Sequence, residues 1–300
     1  MRKIERLDSP NYNLLMLIIV DSGSTKADWQ IVHADGTREL QTTMGFNPFF
    51  HDEDRVESEL KKDFVQKVAV DKAQAVYFYG AGCSDKMRCD IIKRGLQRIF
   101  KNAEVEVLHD LLASARAACG ASAGIACIIG TGSNTCLYDG KEVIDNVSNL
   151  GYLLGDEGSG SHLGKLLIRA FFYRELPDDV EAKFIAEYGS DKRAFLNNIY
   201  AEGANVYLAG FARFFSANRT HFYIQKLAAE AFTELTQRHI LKYEGCHRIP
   251  INFVGSVAHH FQDILKVVLD EHDLNMGIII KKPIDKLVEY HLQNINQTFA

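Results

Sequence analysis

Four absences narrow what this chain can be. No apolar run approaches the roughly 18 residues that a membrane-crossing helix needs. No GK[ST] tripeptide closes a glycine-rich turn, so the P-loop route to phosphate binding is missing. The six cysteines, Cys83, Cys89, Cys119, Cys127, Cys136 and Cys246, include no CxxC pair and no metal-ligand spacing. They read as buried thiols, which suits the reducing cytoplasm. Basic residues form no stripe and the formal net charge is −5, which argues against nucleic acid as a partner. Arg2 and Lys3 precede an apolar run that is too short and too late for a signal peptide, ends on Asp21, and lacks a small-residue cleavage pattern. Residues 1–12 are polar and patternless and read as a loose tail, with Met16 as a candidate start. Neither a membrane nor a nucleic acid is expected as a partner.

What is present is a globular composition, 47% hydrophobic and 24% charged, over 300 residues, which allows about two domains. The chain is organised around Leu14–Lys26, LLMLIIVDSGSTK. Seven apolar residues suit a strand buried on both faces. Asp21 then marks its exit from the core, and Ser22, Gly23, Ser24 and Thr25 form a small, hydroxyl-rich turn before Lys26 and a second strand. Backbone N–H groups and hydroxyls in such a turn can cradle phosphate, and Asp21 can hold Mg²⁺ directly or through water. An ordinary hairpin tip has the same composition. A DG turn at Asp35–Gly36 leads to a third strand.

The pattern recurs. Gly124–Ile129 is an apolar strand, Gly130, Thr131, Gly132 and Ser133 a turn, Asn134–Tyr138 a strand, and Asp139–Gly140 a second DG turn. A strand–turn–strand–DG–strand unit that appears twice strengthens the phosphate reading of both turns. Two such turns facing each other can grip one polyphosphate.

Between the repeats, residues 52–70 read as one helix, 75–79 as a strand ending at Gly80-Ala81-Gly82, 85–100 as a helix and 105–108 as a short strand. Asn47, in MGFNPFF, offers an amide to a sugar hydroxyl or acetamido group, or serves the turn before Pro48. Asp110 opens a helix after that short strand, as an N-cap or as a general base facing a cleft. After the second repeat, residues 149–160, NLGYLLGDEGSG, read as a glycine-rich loop. Asp156 and Glu157 stand just ahead of a helix N-terminus, where they can cap it or accept hydrogen bonds from a hydroxylated ligand. Four glycines around two acids exceed what a cap requires. Helices over 178–188, 191–199, 203–217 and 220–243 read as core packing. A strand at 249–254 ends in Gly255-Ser256, and a helix follows to Leu269. Glycine there admits a flat ligand, or serves a plain strand–helix turn. A last strand covers 278–280, and a closing helix from Pro283 packs back on the first half.

Together these motifs resemble the actin-like ATPase superfamily of sugar kinases, heat-shock proteins and actin. Within it, GxNP with Asn47, the HD of Asp110 and GDEGS at Gly155–Ser159 resemble the N-acetylglucosamine kinase branch of the family that also holds activators of 2-hydroxyacyl-CoA dehydratases. The resemblance implies an α/β fold of two ribonuclease H-like domains, each a mixed five-stranded sheet with helices, and a cleft between them. The domains are expected at 1–119 and 120–282, with 283–300 joining the first. It implies ATP and Mg²⁺ as cofactors, an amino sugar as partner, and a homodimer as an admissible assembly. By resemblance Asp21 with Ser22–Lys26 holds Mg²⁺ and the terminal phosphates. Gly130, Thr131, Gly132 and Ser133 hold phosphates from the other domain, and Gly255 and Ser256 lie under adenosine. Asn47, Asp110, Thr131, Gly151, Asp156 and Glu157 contact the sugar, with Asp110 as base toward its 6-hydroxyl. DSGSTK carries less glycine than relatives often show, and His109 stands where they commonly have Asn or Thr.

Two rivals follow from the same resemblance. One is a nucleotide-driven activator with a cysteine-held iron–sulfur cluster, for which Cys127 before the second turn is the candidate. The other is a non-catalytic sugar sensor. Among N-acetylglucosamine, glucosamine and N-acetylmannosamine the residues make no choice.

Overall fold

The computed structural model describes residues 16–23 and 26–298. The reading of residues 1–12 as a tail, the strand residues Leu14 and Leu15, and the tip residues Ser24 and Thr25 lie outside the described residues.

The chain divides into two compact units, one formed by the described residues up to Ala117 with those from Pro283 onward, the other by Ala118–Lys282. The first unit begins with β1 (Met16–Ser22), β2 (Lys26–Val32) and β3 (Arg38–Met44). Helices α1 (Glu53–Lys62) and α2 (Phe64–Lys67) follow, then β4 (Ala73–Gly80), α3 (Lys86–Ile99), β5 (Glu104–His109) and α4 (Asp110–Cys119). The sheet order is β3-β2-β1-β4-β5. The β1–β2 and β2–β3 pairs are antiparallel, while β1–β4 and β4–β5 are parallel.

One face of this sheet is apolar by alternation. Ile18, Val20, Trp29, Ile31, Val76, Phe78, Val105 and Val107 meet Val56, Leu60, Ile92 and Leu96 from α1 and α3 in one buried cluster. Each such aliphatic side chain contributes roughly 1.5–3 kcal/mol by leaving water. The two helices cross closely because Gly95 has no side chain; a Cβ there would lie 2.7 Å from the Val56 Cβ. The single helix expected over 52–70 is broken. Asp63 leaves the helical region (φ −146°, ψ −38°), separating α1 from α2.

The second unit repeats the topology. It contains β6 (Gly124–Ile129), β7 (Ser133–Tyr138), β8 (Val143–Asp145), α5 (Gly151–Leu154), α6 (Gly160–Phe172), α7 (Asp178–Tyr188) and α8 (Lys192–Ile199). Next come α9 (Ala204–Gly210), α10 (Ala212–Ala217), α11 (Phe222–Arg238), β9 (Ile251–Val254), α12 (Ser256–His260), α13 (Gln262–Asp270) and β10 (Met276–Ile280). The order β10-β9-β6-β7-β8 places an antiparallel meander beside two parallel strands, as in the first unit. Where the sequence suggested only loop over 149–160, α5 adds one helical turn. The helix expected after Gly255 is interrupted at Phe261 (φ −116°, ψ 25°).

The last helix, α14 (Ile284–Thr298), returns to the first unit and packs on β1 and β2. Buried His291 anchors it, stacked 3.8 Å from the Tyr77 ring. Its Nε2 lies 2.8 Å from the Tyr79 hydroxyl, which also accepts from Arg116 Nη1 at 2.8 Å. Arginine only donates, so the tyrosine oxygen accepts from Arg116, and the imidazole tautomer sets the direction of the second bond. Burial, and then the Arg116 charge, push the His291 pKa down to about 3.

Candidate active site

Three parallel strands of the first unit end in one row. Ser22 of β1 pairs with Gly80 of β4, and Gly80 with His109 of β5. Ligands of open α/β sheets gather at such carboxyl ends. Asp21 and Asp110 therefore share one end of the sheet, with their strands two spacings apart, about 10 Å.

The tip of the β1–β2 hairpin is closed by Gly23 N–H donating to Lys26 O at 3.0 Å. The GFNP loop locks it from the side. Phe46 N–H donates to Ser22 Oγ at 3.0 Å, and the same hydroxyl donates to Gly23 O at 3.2 Å. Gly45 is required here, since a Cβ would lie 1.9 Å from the Gly23 carbonyl oxygen. The Ser22 side chain is fully buried and already bonded, which leaves the tip backbone as what Ser22 can offer a phosphate. Lys26 ion-pairs with Asp28 at 2.6 Å, two residues on and on the same face of β2.

Asn47 is buried, and its Oδ1 accepts Phe49 N–H at 3.0 Å, the local turn bond that a residue before proline often makes. The Gly80–Gly82 loop packs on it; a Cβ on Gly82 (φ +81°) would lie 2.4 Å from Asn47 Oδ1. At the start of α4, Leu111 N–H donates to His109 Nδ1 at 2.9 Å, so the histidine caps the helix. The same Nδ1 lies 3.0 Å from Asp110 Oδ1. One ring nitrogen serves one of these at a time, as acceptor for the helix or as donor to the acid. The Asp110 side chain is 33% exposed, open to a ligand.

The second tip is held differently. Gly130 N–H donates to Gly132 O at 2.9 Å, and the first residues of α6 hook onto it, Gly160 N–H to Gly130 O at 2.8 Å and Ser161 N–H to Thr131 O at 3.0 Å. Asp156 Oδ1 accepts Ser133 N–H at 3.0 Å and Asn149 Nδ2 at 2.8 Å. The carboxylate fills the space beside Gly132, where a Cβ would lie 2.8 Å from Oδ1. Asp156 adopts φ +58°, a left-handed conformation that costs a non-glycine residue about 1 kcal/mol or more. Burial raises its pKa, against the lowering effect of Ser133 N–H and the Asn149 amide. Asn149 also accepts Gly151 N–H at 2.6 Å, which ties Gly151 (φ +70°) and α5 into the same cluster.

Neither acid of GDEGS caps α6; Ser159 Oγ does, accepting His162 N–H at 3.2 Å. Glu157 has internal partners. It is buried, and its Oε2 lies 3.0 Å from His239 Nε2 on the turn after α11, with Arg238 3.7 Å from Oε1. Burial opposes its ionisation, but its own backbone N–H, His239 and Arg238 together leave its pKa lowered.

Gly255 (φ +127°) must be glycine. A Cβ would lie 2.3 Å from Ile129 O, and its N–H donates to Ile280 O at 2.9 Å. This brings Ser256 to the second tip: Gly130, Thr131, Gly160 and Ser256 line one cavity of about 650 Å³. Its far wall is Arg213 and Ser216 of α10. The sequence reading missed both, having taken 203–217 as core packing. The signal was the small residues Ala209 at the end of α9 and Ala212 and Ser216 on α10, which leave room beside Gly160 and the second tip.

The structure therefore brings Gly130, Thr131 and Ser256 to one cavity, Gly132, Ser133, Gly151 and Asp156 to one hydrogen-bonded cluster, and Asp21, Gly23, Asn47 and Asp110 to one sheet end. It gives the side chains of Ser22, Lys26 and Glu157 internal partners. Among the described residues no cluster of three His, Cys, Asp or Glu side chains forms a metal cage. Magnesium bound beside phosphate needs only one or two carboxylates, so the oxygen donor of Asp21 fits it. Cys127 is fully buried between sheet neighbours, and burial pushes its thiol far up. No helix of the described residues is long and apolar enough to cross a membrane.

No family model and no curated protein matches the chain. Solved structures do. A protein of Porphyromonas gingivalis described as a "Putative N-acetylglucosamine Kinase" is 36% identical with a TM-score of 0.87, over 93% of this chain and 99% of that one. A protein of Chromobacterium violaceum with the same description is 17% identical at a TM-score of 0.68, again over 93% and 99%, which speaks to the fold alone. A ROK family transcriptional regulator, a homologue of the Escherichia coli MLC protein, shares the fold at 11% identity and a TM-score of 0.53, over 91% and 78%. With two five-stranded mixed sheets in an α/β frame and this first relative alike over nearly its whole length, the chain belongs to the N-acetylglucosamine kinase family.

Proposed function

We infer that the protein is an ATP-dependent kinase that phosphorylates the 6-hydroxyl of N-acetylglucosamine or a closely related amino sugar. One observation supports this most. Asp156, the acid of the sugar-type loop, is hydrogen-bonded to the second tip through Ser133 N–H, and that tip's Gly130 and Thr131 line the 650 Å³ cavity beside Ser256. A hydroxylated ligand held by Asp156 therefore sits next to a phosphate held by the tip. A cavity of this size is in the range of small-molecule and cofactor sites.

Phosphoryl transfer demands mainly positioning and charge neutralisation. The exposed backbone of Gly130–Gly132 holds phosphate oxygens, and Ser256 with Arg213 and Ser216 holds the nucleoside. Asp21 would hold Mg²⁺, which would supply charge neutralisation when bound. Asp156, fixed by two donors, orients the sugar, with Asn47 contributing from its own loop. Asp110 accepts the proton of the attacking hydroxyl. Its helix is capped by His109, so its carboxylate is not consumed by the backbone. The burial of Cys127 speaks against the iron–sulfur activator reading.

A coupled ATP-consumption assay over N-acetylglucosamine, glucosamine, N-acetylmannosamine and glucose tests the proposal. One amino sugar should stimulate turnover well above the basal rate. Asp110→Asn should lower kcat on it by about 10²–10⁴ with little change in KM. Stimulation by none of the sugars would leave the sensor reading in place, and near-normal turnover in Asp110→Asn would remove Asp110 as base.

A further inference from the structure

We propose that the second unit carries another small-molecule site, for an organic anion with an apolar body, in a cavity of about 530 Å³ walled by α5, α6 and α8. No residue lining it also lines the 650 Å³ cavity, so the two are separate. The inference stands independently of the kinase reading.

The walls come from helical spacing. On α6, Lys165, Arg169 and Phe172 fall at i, i+4 and i+7, on one face; on α8, Lys192, Phe195 and Ile199 fall at i, i+3 and i+7. Aromatic and aliphatic side chains thus line the cavity together with four cations, Lys165, Arg169, Lys192 and Arg238. Arg169 and Lys192 are exposed, and among the described residues neither forms an ion pair with a carboxylate. Lys165 spends its donors on backbone carbonyls, Tyr152 O at 2.5 Å and Gly155 O at 3.3 Å. The two acids at the wall are already engaged: Glu157 by His239, and Glu234 by Arg238 at 3.2 Å. The wall therefore presents uncompensated positive charge against an apolar surface. Arg169 and Lys192 are exposed, so their charge draws an anion toward the cavity chiefly at low ionic strength. An apolar body gains from the aromatic lining. A cation gains nothing here, and a neutral sugar leaves Arg169 and Lys192 unmatched.

The test uses the full chain and 1-anilinonaphthalene-8-sulfonate, an aromatic sulfonate whose fluorescence rises in apolar surroundings. Saturable binding is expected. Decanoate should displace the dye, and decyltrimethylammonium, of equal chain length and opposite charge, should not. The doubly reversed variant Arg169→Glu/Lys192→Glu should weaken dye binding at least fivefold, and Arg169→Lys should retain it. Ile199→Trp, which fills the cavity without altering charge, should weaken the dye as well. Displacement by ATP instead of decanoate would place the dye in the other cavity and overturn the proposal. So would equal competition by the ammonium, or a loss of less than fivefold in the charge-reversed variant.

Discussion

The two hairpin tips have one topology and two kinds of anchor. The first is locked by neutral groups: a buried serine hydroxyl takes Phe46 N–H, and a bare glycine backbone lies against Gly23 O. The second is locked by a charged side chain, the Asp156 carboxylate, together with the first N–H groups of α6. The duplicated strand order fixes where a tip stands, whereas the anchor is chosen separately in each unit. A neutral anchor made of backbone contact tolerates no added atom and ignores pH. A carboxylate anchor can swing away from an added atom, and it titrates.

The largest effect expected from this difference is at Gly45. A methyl there meets backbone 1.9 Å away, with no flexible side chain to move. Gly45→Ala should cost roughly 3 kcal/mol. Urea unfolding with an unchanged m-value would measure it. A loss within about 0.5 kcal/mol would mean that the first tip is looser than its contacts indicate.

Much of this frame was legible before any coordinates. Apolar runs ending on small residues, and DG pairs at matching offsets, announce both meanders, because buried strands and tight turns have strict chemistry. What stayed hidden depends on partners distant in the chain. Ser22 at a tip reads the same whether it faces solvent or the interior, and only Phe46, 24 residues on, decides. Glu157 looks like a ligand acid until His239, 82 residues later, takes it. Asp110 looked like a cap by position, but the adjacent histidine took the backbone donor. Asp156 was read as a loop acid, and its bond to Ser133 requires a positive φ that no composition rule forecasts for aspartate. Arg213 and Ser216 sat in a helix whose apolar period described the opposite face.

The second way to sharpen the comparison is acid. In the first unit His291 is neutral and buried, with its pKa lowered to about 3. Below pH 6.5 the unfolded chain takes up a proton that the folded chain refuses, so stability is fully present above pH 6.5 and falls as pH drops toward 3. The slope is about 1.4 kcal/mol per pH unit, or roughly 2 kcal/mol between pH 6.5 and 5. In the second unit Asp156 has a raised pKa, so its contribution has the opposite sign: it is present below the ordinary carboxylate range and lost as pH rises through the raised value. Hydrogen exchange resolved by segment should therefore show β4 and α14 losing protection first on acidification. In His291→Gln, which can still bond the Tyr79 hydroxyl, this sensitivity should disappear. Equal loss in both units, or an unchanged slope in the variant, would break the comparison.

The smallest effect concerns whether the second anchor really yields. Gly132→Ala places a methyl 2.8 Å from the Asp156 carboxylate, which can rotate away at the price of its bond to Ser133 N–H. The expected cost is about 1 kcal/mol, well below that of Gly45→Ala. Asp156→Gly removes both the obstacle and the strained φ, and on the proposed function it should also raise the sugar KM by about tenfold or more, since a hydrogen bond to a charged group is worth about 1.5–3 kcal/mol. In that background the added methyl at residue 132 has nothing to meet. The two substitutions should then be non-additive by nearly the whole 1 kcal/mol, read from urea midpoints of the four proteins. Additive costs would show that Gly132 is needed for its own backbone and not for the acid beside it, and the second tip would then be anchored in the same way as the first.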